Sequence, residues 1–249
     1  MDPFSFAPIA ALFSVTYSGV AAMASLLVPL VGAASAAVAI ILLTLLVRTT
    51  LIPIGLSQAK AEAVLRRLAP ELLVLRRKYG KNPQLLQQKT MALYKAEHVS
   101  PLAGILPAIA QAPVLSLVYA LFLRASVDGH VNALLTEHLF GVPLGTSFVH
   151  LVAAGVVWPG LGVFAALFAI MTGAAWLSRR VALRQALPAE DAVQPGAGLG
   201  GVLSWLPFIT VVFAAFVPLA ATLYLATTTS WTLVERAILR RRLRSVRPK

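Results

Sequence analysis

The chain is 249 residues long, 59% hydrophobic and only 12% charged, with a mean hydropathy of +0.83. A soluble domain of that size cannot hide so much apolar surface, because a single core already stops growing near this length. The absence of cysteine excludes disulfides, thiolate metal sites, a cysteine nucleophile and a lipidated N-terminal cysteine.

The net charge of +12 comes from 21 Lys and Arg against 9 Asp and Glu, and it is unevenly placed. Nine of the cations lie between Lys60 and Lys95, three between Arg179 and Arg184, and seven between Arg236 and Lys249; only Arg48 and Arg124 stand apart. In chain order, residues 1–27 are apolar and have no Lys or Arg, so the basic start of a cleaved secretory signal is missing. They read as an interfacial helix on the outer leaflet, with a sixth span as the alternative. Residues 28–56 form the first span, carrying Arg48; 57–99 a basic loop; 100–123 the second span; and 124–157 a loop without Lys or Arg after Arg124. Residues 158–178 form a third span and 179–200 a linker. The uncharged stretch Val202–Val234 contains Pro207 and Pro218. It would be roughly 50 Å long as one helix, against a hydrocarbon core of about 30 Å.

Positive charge stays on the cytoplasmic side. With 57–99 inside, the N-terminus is outside and 124–157 is outside. Arg179, Arg180 and Arg184 are then inside. The basic tail 236–249 joins them only if Val202–Val234 crosses twice, as 201–217 and 218–235. The charge clusters therefore predict an all-α integral membrane protein with five transmembrane helices, N-out and C-in.

Within 57–99, Leu65, Leu68, Leu72, Leu75 and Tyr79 recur at spacings of three and four, an apolar helix stripe. Pro70 should kink or restart that helix. GKNP at 80–83 reads as a turn, and Leu86, Leu93 and Tyr94 give the following helix an apolar side. The expected object is a cytoplasmic antiparallel helical hairpin.

Arginine is costly in lipid, about 2.5–3.5 kcal/mol at mid-membrane. Arg48 therefore reads either as a flank that snorkels or as a charge needed inside. Thr44 lies one turn away on the same face. Gln111 is the one side-chain amide in any expected span; it faces the bundle interior either as a groove group or as a helix–helix hydrogen bond. Tyr224, Thr227 and Thr228 add polarity or merely pack. The four histidines show no metal spacing, and GAGLGG at 196–201 lacks the preceding strand of a dinucleotide fold. No metal, cofactor or catalytic group is expected, and the chain does not read as an enzyme.

Three stretches resemble the YidC-type membrane protein insertases of the YidC/Oxa/Alb superfamily. MALYKAEHVSPLAGILPAIAQAPVLSLVYALF (91–122) places Tyr94, Lys95, Pro101, Leu102, Gly104, Pro107, Gln111 and Pro113 in the family's register. TLLVRTTLIPIGLSQAK (44–60) is similar to the first core span, and SWLPFITVVFAAFVPLAATLYLATTTSW (204–231) to the last two. Ser100 replaces the usual asparagine before Pro101, and Phe140-Gly141-Val142-Pro143 departs from the family's outer loop. The resemblance implies a hydrophilic groove, open to cytoplasm and lipid, with Arg48, Thr44, Gln111, Tyr224 and Thr228 as its polar groups. It implies nascent membrane proteins as partners, with the ribosome and the Sec translocon as further candidates, and the bacterial cytoplasmic membrane as the location. Candidate partner-binding cations are Arg76, Arg77 and Lys78 of the hairpin and Arg240, Arg241 and Arg242 of the tail. The tail would attract anionic lipids or contact ribosomal RNA; DNA is not an expected partner. The competing reading is a small-solute anion transporter or channel using Arg48, against which stands the lack of an inverted repeat.

Overall fold

The computed structural model describes residues 7–97, 116, 120–124, 126–127, 130–155, 158–183 and 205–245. Helices dominate: α1 (Ala7–Val31), α2 (Ser35–Thr50), α3 (Ile52–Tyr79), α4 (Pro83–Ala96), α5 (Ala133–Thr136), α6 (Phe148–Ala153), α7 (Gly160–Leu183), α8 (Leu206–Ala214) and α9 (Leu219–Ser245). Residues 120–123 are also helical. Two antiparallel hairpins of two-residue strands pair β1 (Ser126–Val127) with β2 (His130–Val131), and β3 (His138–Leu139) with β4 (Val142–Pro143). The chain divides into two compact units.

The first unit takes in residues 1–50, 113–177 and 207–233. A single 3-10 turn at Gly32–Ala34 joins α1 to α2, with Gly32 at φ +55, a conformation that costs glycine little. α1 packs back against α2. Its buried Phe13, Val20 and Ala24 share a core with Ala36, Ala37, Ala39, Ile40 and Leu43 of α2, small side chains that let helix backbones approach closely. The interruption at Leu51 then precedes Pro53, which fits the open first turn of α3. Among the described residues, Phe13–Thr50 and Gly160–Leu183 are long and apolar enough to cross a membrane. Leu26 and Leu30 stay about three-quarters exposed, and Ile209, Val212 and Phe216 of the α8 region nearly two-thirds. Apolar faces of that extent are what lipid covers.

Pro218 ends the α8 region because it lacks an N–H and disfavours a helical residue before it. The break at 215–218 is sewn to the loop beside it. Val149 N donates to Ala215 O at 3.1 Å, Leu219 N to Thr146 O at 2.9 Å, and Ala220 N to Leu144 O at 2.9 Å. Thr222, fully buried, bridges the break by donating from Oγ1 to Ala214 O at 3.0 Å. Thr222→Val keeps the shape but orphans that carbonyl, so thermal unfolding in detergent should show a loss of about 1–2 kcal/mol. Phe148, Phe164 and Phe168 meet with ring centroids 5.3–5.8 Å apart and hold α6 on α7. At the start of α7, a Cβ added to Gly160 would lie 2.5 Å from Leu151 Cδ1 and 2.8 Å from Cδ2. Leu151 is buried and cannot swing away; Gly160→Ala should destabilise by about 1–3 kcal/mol in the same measurement.

The second unit takes in residues 51–112, 178–206 and 234–249. α3 and α4 pack on each other around Tyr79–Pro83. Asn82 caps α4, its side chain accepting from Leu85 N at 3.1 Å, and Pro83 follows in the first turn. Leu68 is fully buried, while Leu65, Leu72, Leu75, Tyr79, Leu86, Leu93 and Tyr94 are half-buried. Pro70 does not restart the helix: α3 runs through it to Tyr79. The ring sits on an exposed face, where water can take up the carbonyl that proline leaves without its helical donor. Arg67 pairs with Glu97 just past the end of α4; exposed pairs of this kind contribute about 0.2–1 kcal/mol. Arg179 lies 4.3 Å from the ring centre of Trp205, a cation–π contact.

Candidate functional site

The last turn of α2 carries Arg48, at the helix end that favours a cation. The residue is half-buried. Among the described residues no carboxylate pairs with it. Its charge acts on the hydroxyl of Tyr224, and Thr228 lies beside the same hydroxyl. α2 and α9 therefore bring Arg48, Tyr224 and Thr228 together from positions about 180 residues apart. Tyr224 is buried, with the ring of Phe122 against it at 6.2 Å between centroids.

Beyond Thr222, the threonine and serine hydroxyls of α9 between 227 and 232 divide into two kinds. Thr227 donates to Leu223 O at 2.8 Å, Thr229 to Leu225 O at 2.9 Å, Ser230 to Ala226 O at 2.8 Å and Thr232 to Thr228 O at 2.8 Å. These satisfy themselves within the helix. Thr228 Oγ1 is buried, lies outside hydrogen-bond geometry with Tyr224 and has no partner among the described residues.

Thr44 is fully buried and donates to Ile40 O at 2.7 Å, so its proton is committed to its own helix. Gln111 lies outside the described residues. Of the hairpin cations, Arg76 is half-buried and Arg77 and Lys78 are exposed, all in the last turn of α3. Arg240, Arg241 and Arg242 continue α9, with side chains outside the described set.

Sequence reasoning missed Asn132. This fully buried amide donates to Leu121 O at 2.9 Å and Arg124 O at 3.0 Å, and accepts from Leu134 N at 3.2 Å. It caps the helical stretch 120–123 and opens α5 at once. Its only sequence signal was an asparagine ahead of the apolar Ala133-Leu134-Leu135.

Apolar helices with lipid-facing leucines, valines and phenylalanines, broken by proline and enclosing a few polar groups, define a helical integral membrane protein. Comparison narrows that class. The sequence pattern of the 60Kd inner membrane protein family matches residues 26–246, and the chain belongs to that family. It is similar to the membrane protein insertase YidC of Clostridium perfringens, at 38% identity over 116 residues, 46% of this chain and 48% of that protein. The inner membrane ALBINO3-like protein 2, chloroplastic, of Chlamydomonas reinhardtii is 30% identical over 198 residues, 75% of this chain and 45% of that protein. The membrane protein insertase YidC 1 of Halalkalibacterium halodurans is 39% identical over 95 residues, 36% of this chain and 37% of that protein. The aligned stretch thus spans less than half the length of each of these relatives.

Proposed function

We propose that the protein is a membrane protein insertase and chaperone, which moves short hydrophilic segments across the cytoplasmic membrane of a bacterium and releases hydrophobic segments into lipid. The observation that carries this reading is the grouping of Arg48, Tyr224 and Thr228 among apolar helices. Family membership and the similarity to membrane protein insertases YidC support it.

The physical obstacle to insertion is the transfer of polar backbone through hydrocarbon, where each unsatisfied group costs several kcal/mol. A polar groove reached by water shortens the dry path. Arg48 is its fixed positive charge and attracts carboxylates in the tail of the incoming segment. Tyr224, Thr228 and Gln111 offer hydrogen-bonding groups that stay in place while the tail moves. Thr44, whose hydroxyl is already used, shapes the wall behind Arg48. Five spans with the N-terminus outside and both hairpin and tail in the cytoplasm set the groove's direction, and the membrane potential then pulls acidic tails outward. In this arrangement the tail cations Arg240–Arg242 meet anionic lipid or the ribosome, and the Sec translocon is a second partner.

The test is reconstitution of the purified protein in liposomes with a ribosome-bound single-span substrate bearing a short acidic tail. Protection of that tail from added protease above the level of empty liposomes is the expected result. Equal protection with and without the protein overturns the proposal.

A further inference from the structure

The tip of the β3–β4 hairpin holds a phenylalanine where the backbone disfavours one. Phe140 has φ +49 and Gly141 φ +82, the left-handed pair of a type I′ turn, in which Asn, Asp or Gly ordinarily takes the first place. A bulky residue in this region is strained by its own Cβ. Little burial offsets that strain, since Phe140 is 73% exposed. Nor is the tip loosely held. Leu144 N donates to Glu137 O and Gly145 N to Leu135 O, both at 2.8 Å, and Val142 and Leu144 are buried behind it.

The turn is also placed at a definite depth. A Cβ on Gly141 would touch Pro159 Cγ at 3.7 Å, and Pro159 immediately precedes α7, one of the two stretches apolar enough to span a bilayer. Trp158, 78% exposed, lays its ring along the first turn of α7, 3.2 Å from where a Cβ of Gly162 would be. Two exposed aromatic side chains thus flank the beginning of a spanning helix, at the end away from Arg179 and Arg180. Between His138 and Ser178 the sequence has no Asp, Glu, Lys or Arg that would hold this edge in bulk water.

We propose that Phe140 and Trp158 together form a lipid anchor, seated among the phospholipid headgroups and upper acyl chains at that end of α7, which fixes the depth of the loop 130–155. The Trp158 indole is at home in this layer, its N–H toward hydrated headgroups and its ring against hydrocarbon, and the wholly apolar ring of Phe140 enters the upper acyl chains beside it. Lipid is the occupant because the tip lies level with the entry of a membrane span and carries no charged side chain for a protein partner to recognise. The inference is independent of how the protein handles substrates.

The chain has no cysteine, so Phe140→Cys, Trp158→Cys and the control Thr136→Cys each accept one environment-sensitive fluorescent probe. In vesicles of phosphatidylcholine and phosphatidylglycerol, the probe at 140 and at 158 should be quenched at least threefold more by lipids spin-labelled high on the acyl chain than the probe at 136. Aqueous iodide should show the reverse order. Iodide quenching at 140 equal to that at 136, without lipid quenching, overturns the anchor. A second variant separates anchoring from folding: glycine accepts the left-handed backbone, so Phe140→Gly should unfold no earlier in detergent. In that background, lipid quenching of a probe at 158 should fall at least twofold. Undiminished quenching there would show that Phe140 takes no part and would overturn the joint anchor.

Discussion

Arg48→Ala should reduce the insertion of substrates with acidic tails by about 10–100-fold while leaving substrates with uncharged tails nearly unaffected. Arg48 is half-buried and unpaired by any described carboxylate, so its charge is available to an incoming group. A hydrogen bond to an ionised partner contributes about 1.5–3 kcal/mol, and each 1.4 kcal/mol is about tenfold. Arg48→Lys, which keeps the charge but not the fork of donors, should fall between the two. Protease protection of the tail in reconstituted liposomes, compared for acidic and neutral tails, reads all three. Equal loss for both tails would remove the electrostatic step and leave Arg48 a structural residue.

Asn132→Leu should destabilise the protein by about 2–4 kcal/mol. The substitution keeps an apolar side chain of similar size but strips two carbonyls and one N–H of their partner in a fully buried place, and each buried group left unpaired costs about 1–3 kcal/mol. Asn132→Asp should be at least as damaging, because a carboxylate would face the carbonyl oxygens of Leu121 and Arg124 without a proton to offer. Chemical or thermal unfolding in detergent checks both. A change under about 0.5 kcal/mol for Asn132→Leu would mean that water replaces the amide freely.

Much of this architecture was legible because membrane helices obey few rules strictly. Apolar length and the clustering of Lys and Arg marked helices at α7 and in the region of α8 and α9, and GKNP with its glycine and proline marked the turn between α3 and α4. Pro70 does not restart the helix, because a proline on a wet helix face need not end it. The grouping of Arg48 with Tyr224 and Thr228 was legible only through the family register, since no local pattern links residues so far apart. Asn132 and Thr222 were illegible for a further reason: their worth lies in carbonyls freed by helix ends whose positions the sequence does not mark to the residue. Thr228 differs from Thr227 and Thr229 only in where its hydroxyl points, which is a property of packing.

The backbone bonds that join residues 144–149 to residues 215–220 have a mechanical consequence. The proline break between α8 and α9 looks like a hinge in the sequence, yet straightening it would strip three main-chain bonds and the Thr222 bridge together. The two helices are therefore clamped at that end.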